Sequence, residues 1–560
     1  MKRLNVQWIA LVALGMLGLP QSALAQPPAP LSKDVVASWE KVGASVGWLR
    51  GTDTAFIEFV PGKGGAPGDV PGFYVNNAPK IADLGKLPIP EQDFALSLDH
   101  QQAKDDALAV LANMKSLRIL NLRANQMSDA GLKTLAGLKR LKVLNLEGNP
   151  ITDAGLKELA GLEELEVLSL AHTRVTGAGL KNLAHLKKLR VFNLGWAPVT
   201  DEGLEGIAEL SNLQVLQLYV FNDKVTDTGF KHLGRLRNLR ALVVACPLVT
   251  DAGIRHLGGL QNLRELNLHH VKVTDAAVKD LARLKNLQSL FVQDSSLTDA
   301  GLEGLAGLKL QSLVIPFQAR TDLGLKNLLA ASGSLSKLDF EHYWKITDEG
   351  LKHLAQLDSL QELSLNGTKV TDEGMKHIAG LKNLRHVNLG YTQLTDAGLK
   401  ELRGLANLRE LSVSNTKVSD ASLVEIAKFR NLEHVNLRGT TVTASGIKQL
   451  AGLNLKNLNV SDELLTDDGF KNWLAATGPR TELYLYHFGH ITETGLEALA
   501  GMNLESLTLP LMLRTDLGLK HFVAATKPRP VLSLSQWRIT DRGLSELAGR
   551  TEATYLDLRW

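Results

Sequence analysis

Apolar residues along this chain fall into one short phrase that returns about every 24 positions. Its clearest copy is segment 141–164, LKVLNLEGNPITDAGLKELAGLEE. Leu144 and Leu146 lie two apart, the period of a strand with one buried face, so Val143, Asn145 and Glu147 point to the other face. Gly148-Asn149-Pro150 then breaks the strand and turns the chain. Thr152 or Asp153 is placed to cap a helix by accepting a bond from an orphan N–H. Leu156 and Leu159 share one helical face, Leu162 closes the turn, and Lys157 and Glu158 face water. Gly155 is a poor helix former, by about 1 kcal/mol relative to alanine. Its return in most copies predicts a place where only a small residue fits; Ala277 and Ser422, which replace it, are also small.

The Asp153 position recurs nineteen times between Asp105 and Asp541, with Gly177, Ala444 and Glu493 as departures. A fixed period of this length marks a solenoid. No single coil buries its own leucines, so stacked coils must form a parallel sheet on one side, helices on the other, and a continuous core between.

The phrase LxxLxLxx(N/T)xVTDAGLKxL over residues 93–560 resembles the leucine-rich repeat family. Its TDAGL form is similar to ribonuclease-inhibitor-like and cysteine-containing repeats and to exported bacterial proteins built from the same unit. With a single cysteine the cysteine-containing match is partial. The resemblance implies an α/β solenoid of about 19 coils, a curved horseshoe with the sheet on the concave side. It also implies a protein-recognition role. It extends to F-box substrate receptors, but the export signal and the segment where an F-box would lie argue against that role here. Three copies, RTDLGL at 320–325, LTDDGF at 465–470 and RTDLGL at 514–519, break the rhythm and lead into longer helices, a second-order repeat that predicts local changes of curvature.

The flanks read differently. Residues 1–25 carry Lys2 and Arg3, an apolar stretch at 8–19 and the small-residue site Ala23-Leu24-Ala25, the signature of a cleaved signal peptide. No cysteine follows the apolar stretch, so a lipid anchor is not indicated, and no transmembrane segment is expected after cleavage. Residues 26–31 form a Pro-rich linker. Residues 32–92 read as an N-terminal cap: a helix over 32–50 with Ser32 at its start and Val35, Val36, Trp39 and Val42 on one face, then a strand over 55–60, then a Gly/Pro-rich loop at 62–72. The array occupies 93–560 and ends on the strand pattern 555–560, so the last coil is expected to be exposed, shielded only by Trp560, or paired with another molecule.

Composition narrows the function. The chain is 44% hydrophobic and 22% charged, and Lys2 and Arg3 account for all but one unit of its formal +3. That balance excludes a broad basic surface for nucleic acid. The one cysteine, Cys246, has no intramolecular disulfide partner, which fits a bacterial envelope location, periplasmic or extracellular.

The outward strand positions form columns one coil apart, about 4.8 Å. The middle column, from Asn121 and Asn145 to Ser533 and Asp557, is small and polar, and is expected to be solvated. Beside it Ile119, Val143, Val167, Val191, Val215 and Ala241 form an apolar stripe on a face that should meet water, a candidate interaction surface. Further along, Glu362, His386, Glu410 and His434 alternate. They offer ligand types for a divalent metal or a pH sensor, but stacked strands enclose no tetrahedral cage, and the favoured reading is a ladder of opposite charges. Just after the strands come Trp196, Tyr219, Phe221, His269, His270, Phe317, Tyr343, Trp344 and Tyr391. In a chain that is 5% aromatic this placement suits a partner-binding rim, since rigid aromatic side chains dominate interaction hot spots. No GxSxG, HExxH, P-loop or CxxC pattern occurs. The pairs His269-His270 and Glu341-His342 are adjacent in sequence and are expected to face opposite sides. The repeated Asp is read as a helix cap rather than a calcium ligand. No cofactor, resident metal or enzymatic activity is expected. The leading reading is a scaffold or receptor for another protein; the alternative is a structural envelope component that binds wall or surface glycan.

Overall fold

The computed structural model describes residues 29–52, 57–62, 64–75, 81–219, 224–341, 345–486, 488–548 and 552–559. The expected signal peptide, and Phe221, Tyr343, Trp344, His342 and Trp560, lie outside them. The chain divides into two compact units, one made mostly of residues before 320 and the other mostly of residues after it.

In the first unit, helix α1 (Lys33–Glu40) leads into strands β1 (Ala44–Gly51), β2 (Ile57–Pro61) and β3 (Val70–Val75). Ten array strands follow: β4 (Phe94–Ser97), β5 (Leu117–Asn121), β6 (Val143–Asn145), β7 (Val167–Ser169), β8 (Val191–Asn193), β9 (Val215–Tyr219), β10 (Ala241–Ala245), β11 (Glu265–His269), β12 (Ser289–Phe291) and β13 (Ser312–Val314). All thirteen form one sheet, with β4–β13 parallel and in chain order. β3 joins β4 in parallel, while β1 pairs antiparallel with both β2 and β3. The second unit carries β14 (Lys337–Asp339), β15 (Glu362–Ser364), β16 (His386–Asn388), β17 (Glu410–Ser412), β18 (His434–Asn436) and β19 (Asn457–Asn459) as one parallel sheet. Two further pairs follow it, β20 (Glu482–Tyr484) with β21 (Ser506–Thr508), and β22 (Val531–Ser533) with β23 (Tyr555–Asp557). Each unit is thus an α/β solenoid of parallel strands and short helices.

The strand leucines behave as their spacing requires: Leu144, Leu146, Leu156, Leu159 and Leu162 have no exposed surface. Asn149 ties adjacent coils. Its amide donates to the carbonyls of Leu122 (2.8 Å) and Leu146 (3.0 Å), and its oxygen accepts from the Met127 N–H (3.0 Å). Where Thr stands in its place, as at Thr368 and Thr392, the hydroxyl bonds only to the carbonyl three residues back.

The repeated aspartate does something other than cap its own helix. The cap is the preceding Thr or Ser; Thr152 Oγ1 accepts from the Ala154 N–H. The Asp carboxylate reaches instead to the next coil. Asp129 accepts from the Thr152 N–H at 2.8 Å and from Thr152 Oγ1 at 2.5 Å. Asp227 accepts from Thr250 N–H, Thr250 Oγ1 and Gly253 N–H at 2.8, 2.7 and 2.9 Å. This accounts for the glycine: a Cβ at Gly253 would lie 2.6 Å from Asp227 Oδ1, and one at Gly155 2.4 Å from Asp129 Oδ1.

Two expectations for the N-terminal segment change. The helix ends at Glu40, and residues 44–51 form a strand, because Gly43 adopts φ 86° and turns the chain before ASVGWLRG. Ser32 stands at the start of α1, but its side chain makes no capping bond. The segment also lies on the apolar stripe. Leu49, Ala95, Ile119, Val143, Val167, Val191, Val215 and Ala241 form one buried cluster, with Ile57, Phe59 and Val70 packed against it. The stripe is therefore interior rather than an open surface. A Cβ at Gly51 would sit 2.9 Å from Val143 Cγ2, which measures how closely the end of β1 approaches β6.

The three irregular copies do form the longest array helices among the described residues, Asp322–Ala331, Asp467–Ala476 and Asp516–Ala525, ten residues each. Within the second unit the sheet is interrupted at the latter two.

Candidate functional site

What places the rim is a backbone conformation. The residue after each strand's turn repeatedly adopts positive φ: His100 58°, Ala124 52°, Gly148 72°, His172 53°, Trp196 63°, His270 51° and Tyr391 56°. In each of these coils but that of His270, its N–H donates to a carbonyl of the next coil, as Trp196 does to Tyr219 at 2.8 Å and Tyr391 to Ser414 at 2.8 Å. The strained residue is thus held by the neighbouring coil, and its side chain is thrown outward. Strain in such positions persists only where the surroundings over-determine it.

Trp196 is 46% exposed and stacks on His172, ring centroids 5.6 Å apart and planes 10° apart. Tyr219, the last residue of β9, is half-buried, and its hydroxyl is held above the usual range by burial and by the nearby Glu265 carboxylate. Gly195 makes room for it, since a Cβ there would stand 3.3 Å from Tyr219 Cδ2. Phe317 and Tyr391 are exposed, at 50% and 64%. The first unit therefore gathers His172, Trp196 and Tyr219 on neighbouring coils, while Tyr391 stands on the second unit.

His269 and His270 do not face opposite sides. The positive φ of His270 folds its ring back, and the two ring centroids are 4.1 Å apart. Asp294, in the equivalent position one coil on, closes the group. Its Oδ2 is in close contact with His269 Nδ1 and accepts from the His270 N–H at 3.4 Å. The hydrogen bond from His269, working against partial burial, holds the Asp294 carboxyl below its usual range. Alternation along the strand alone could not reveal this, because the turn that brings the rings together lies beyond the strand.

The Glu362–His386–Glu410–His434 ladder is in register across β15 to β18. His386 Nδ1 stands 3.8 Å from Glu362 Oε1, and Lys337 Nζ 2.8 Å from Glu362 Oε2. The hydrogen bond from Lys337 is the main reason the Glu362 carboxyl sits below its ordinary range. The four residues line an open groove of about 320 Å³.

The polar middle column divides between the units. Asn121, Asn145, Ser169, Asn193 and Gln217 are buried. Asn145 and Asn193 use their side-chain oxygens to accept the N–H two residues on (2.9 and 2.8 Å), which starts the turn. In the second unit Ser364, Asn388, Ser412 and Asn436 are half-buried and Tyr484 is exposed. On the outward face of β11, Glu265 went unread in the sequence. Glu265 is buried, one carboxylate oxygen has no hydrogen-bond partner, and burial pushes the carboxyl up to about 7. Cys246 is buried too, and its thiol is pushed up to about 12.

Among the described residues no helix is long and apolar enough to cross a membrane. The parallel ladder, the inter-coil Asp and Asn ties and the turn after each strand define a repeat solenoid. Residues 95–378 match a model described as a leucine-rich repeat region, and residues 346–418 match a second, described as leucine rich repeat. The chain belongs to the leucine-rich repeat family. No curated protein matches the sequence. Similar solved structures include an internalin (inlF) from Listeria monocytogenes, 23% identical over 59% of this chain and 82% of that one, with a TM-score of 0.38. A leucine-rich repeat protein from Leptospira interrogans is 20% identical over 69% of this chain and 99% of that one, with a TM-score of 0.41. The ectodomain of the plant receptor kinase GASSHO1/SCHENGEN3 from Arabidopsis thaliana, in complex with CASPARIAN STRIP INTEGRITY FACTOR 2, is 17% identical over 87% of this chain and 66% of that one, with a TM-score of 0.42.

Proposed function

We propose that this is a non-enzymatic, exported leucine-rich repeat protein that binds another protein through the strand-end rim of its solenoid. The observation that carries the reading is Trp196. A large aromatic is held half-exposed by a backbone fixed in the neighbouring coil, stacked on His172 and beside Tyr219. A side chain already immobilised loses little entropy on binding, which is the property of hot-spot residues. Residues 1–25 direct the chain to the periplasm or the cell exterior, and residues 32–92 cap the array. The partner is a protein; nucleic acid is not one, and no cofactor is required.

The test is capture. The purified protein serves as bait against envelope and secreted proteins of its own source, beside a Trp196→Ala/Tyr219→Ala variant of matched melting temperature. A protein retained by the parent and lost by the variant is the expected result. If both retain the same proteins, the rim is not the binding surface. Exposed Trp196 and Tyr391 are also flat platforms of the kind that stack on sugar rings. Sedimentation of the protein with insoluble wall polymer, without any captured protein, would transfer the role to glycan binding.

A further inference from the structure

We infer that His269, His270 and Asp294 form a binding site for a zinc-class divalent cation at the end of β11. Each residue presents one ligand atom, and the three atoms lie within 4.8 Å of one another. Two imidazole nitrogens and one carboxylate oxygen are the donor set of zinc and its neighbours, whereas calcium and magnesium take oxygen ligands almost throughout. Metal–ligand distances of about 2.0–2.2 Å set two ligand atoms of one tetrahedral ion about 3.4 Å apart, so the His269–Asp294 contact would open as the ion enters, and His270 and Asp294 stand at the exposed rim where that movement is free.

The arrangement is built by the fold rather than by chance adjacency. The positive φ at His270 brings two consecutive rings to one side, and the parallel register of β11 and β12 sets the next coil's residue against them. His269 Nδ1 donates to Asp294 Oδ2, so an incoming cation would displace the proton of this bond and take both atoms as ligands. Gln293 Nε2 stands 3.2 Å from the same Nδ1.

A second observation points the same way. Gln293 Oε1 and Asn267 Oδ1 are buried acceptors without a hydrogen-bond partner. Asn267 lies two residues before His269 on the same face of β11, and Gln293 precedes Asp294. Buried acceptors are rarely left unpaired. Water molecules on a bound cation would supply donors here. Three protein ligands leave at least one position open to solvent, the geometry of a site that exchanges its fourth ligand. Ion binding at this site requires no protein partner.

The test uses the full chain without an affinity tag. Zinc chloride is titrated by calorimetry after chelator treatment, and cobalt(II) is added in parallel to read visible ligand-field absorption. The expected result is one equivalent of zinc, a cobalt spectrum of intensity typical of four-coordination, and a loss of affinity of about 10–100-fold or more in His270→Ala and in Asp294→Asn. His270 is exposed, and Asn keeps the size of Asp294 and an acceptor for the His270 N–H, so the melting temperatures, measured alongside, should stay near the parent value. His386→Ala/His434→Ala, which removes the ladder histidines, should bind as the parent does. Absence of zinc uptake by the parent, equal affinity in His270→Ala and Asp294→Asn, or loss of binding with the ladder histidines would each overturn the site.

Discussion

Removing the Asp227 carboxylate strips the acceptor from three donors of the following coil, two on Thr250 and one on the buried Gly253. An orphaned buried donor costs about 1–3 kcal/mol, so Asp227→Ala should lower the denaturant midpoint by that order. Asp106→Ala, one residue off the repeated position, should change it little. Leu144→Ala, a large-to-small change at a site with no exposed surface, should cost about 2–5 kcal/mol; a melt like the parent's would mean the strand register is wrong. Glu265 acts in the other direction. Its folded value of about 7 stands above the ordinary 4.5, so the folded state holds the proton more tightly than the unfolded one. The cost of ionising it is absent below pH 4.5, grows between 4.5 and 7, and is complete above 7. Glu265→Gln should therefore stabilise the protein at pH 8, by up to about 3 kcal/mol, and should make no difference near pH 4. Thermal melts of the two proteins across that range would show an advantage that appears only as pH rises.

At the scale of elements, the coil was legible and its flanks were not. Leu144, Leu146, Leu156 and Leu159 announce strand and helix because each periodicity depends only on near neighbours. The glycine of the TDAGL phrase was legible as a packing position, and the Asp of the preceding coil is what fills the space. The role of that Asp was misread as a local cap because its partners are 23 to 28 residues away, and a one-dimensional pattern does not say which copy a side chain addresses. The apolar stripe was misread for a related reason. Ile119, Val143 and Val167 sit on the outward face, as their alternation says, but the cover that buries them is contributed by β1, β2 and β3, distant in sequence. That packing makes its own prediction. Phe59→Ala should loosen the hairpin over the stripe and raise binding of a hydrophobic dye such as anilinonaphthalene sulfonate. An equal change on the solvent-facing side, Glu58→Ala, should leave dye binding as in the parent. The His269–His270–Asp294 group lies beyond the reach of periodicity altogether, because it depends on one positive φ and on the register of two coils.

For the whole molecule, the ties of Asp153, Asp396 and Asp516 share one sign of acid behaviour. At Asp153 burial alone would raise the carboxyl, but the bonds from Thr176, Gly179 and Gly177 outweigh it and hold it below the ordinary 3.8. At Asp396 burial is likewise outweighed by Ser419 and Ser422, and at Asp516 the bond from Thr540 lowers it directly. A carboxyl whose folded value lies below its unfolded value stabilises the fold above the unfolded value and loses that contribution as pH falls through the folded one. In a solenoid whose stability is a sum of repeats and their interfaces, these three ties each add an interface contribution that acid removes. Circular dichroism at decreasing pH is therefore expected to show no loss from these three ties down to about pH 4 and a growing loss below it, as their carboxyls take up protons. The copies that lack the Asp set the internal comparison. Gly177 leaves Thr200 to donate to the Thr176 carbonyl instead, at 3.0 Å, a bond with no titrating partner. Restoring the carboxylate with Gly177→Asp is blocked by geometry, because Gly177 stands at φ 109° and a Cβ there would lie 2.2 Å from Gly203 Cα. That variant should be destabilised at neutral pH, whereas Ala444→Asp, at a position where the repeat elsewhere carries the carboxylate, should not. Hydrogen exchange of the Thr200 and Thr466 amides in the two variants, followed between pH 6 and 3, would separate a strained coil from a restored tie.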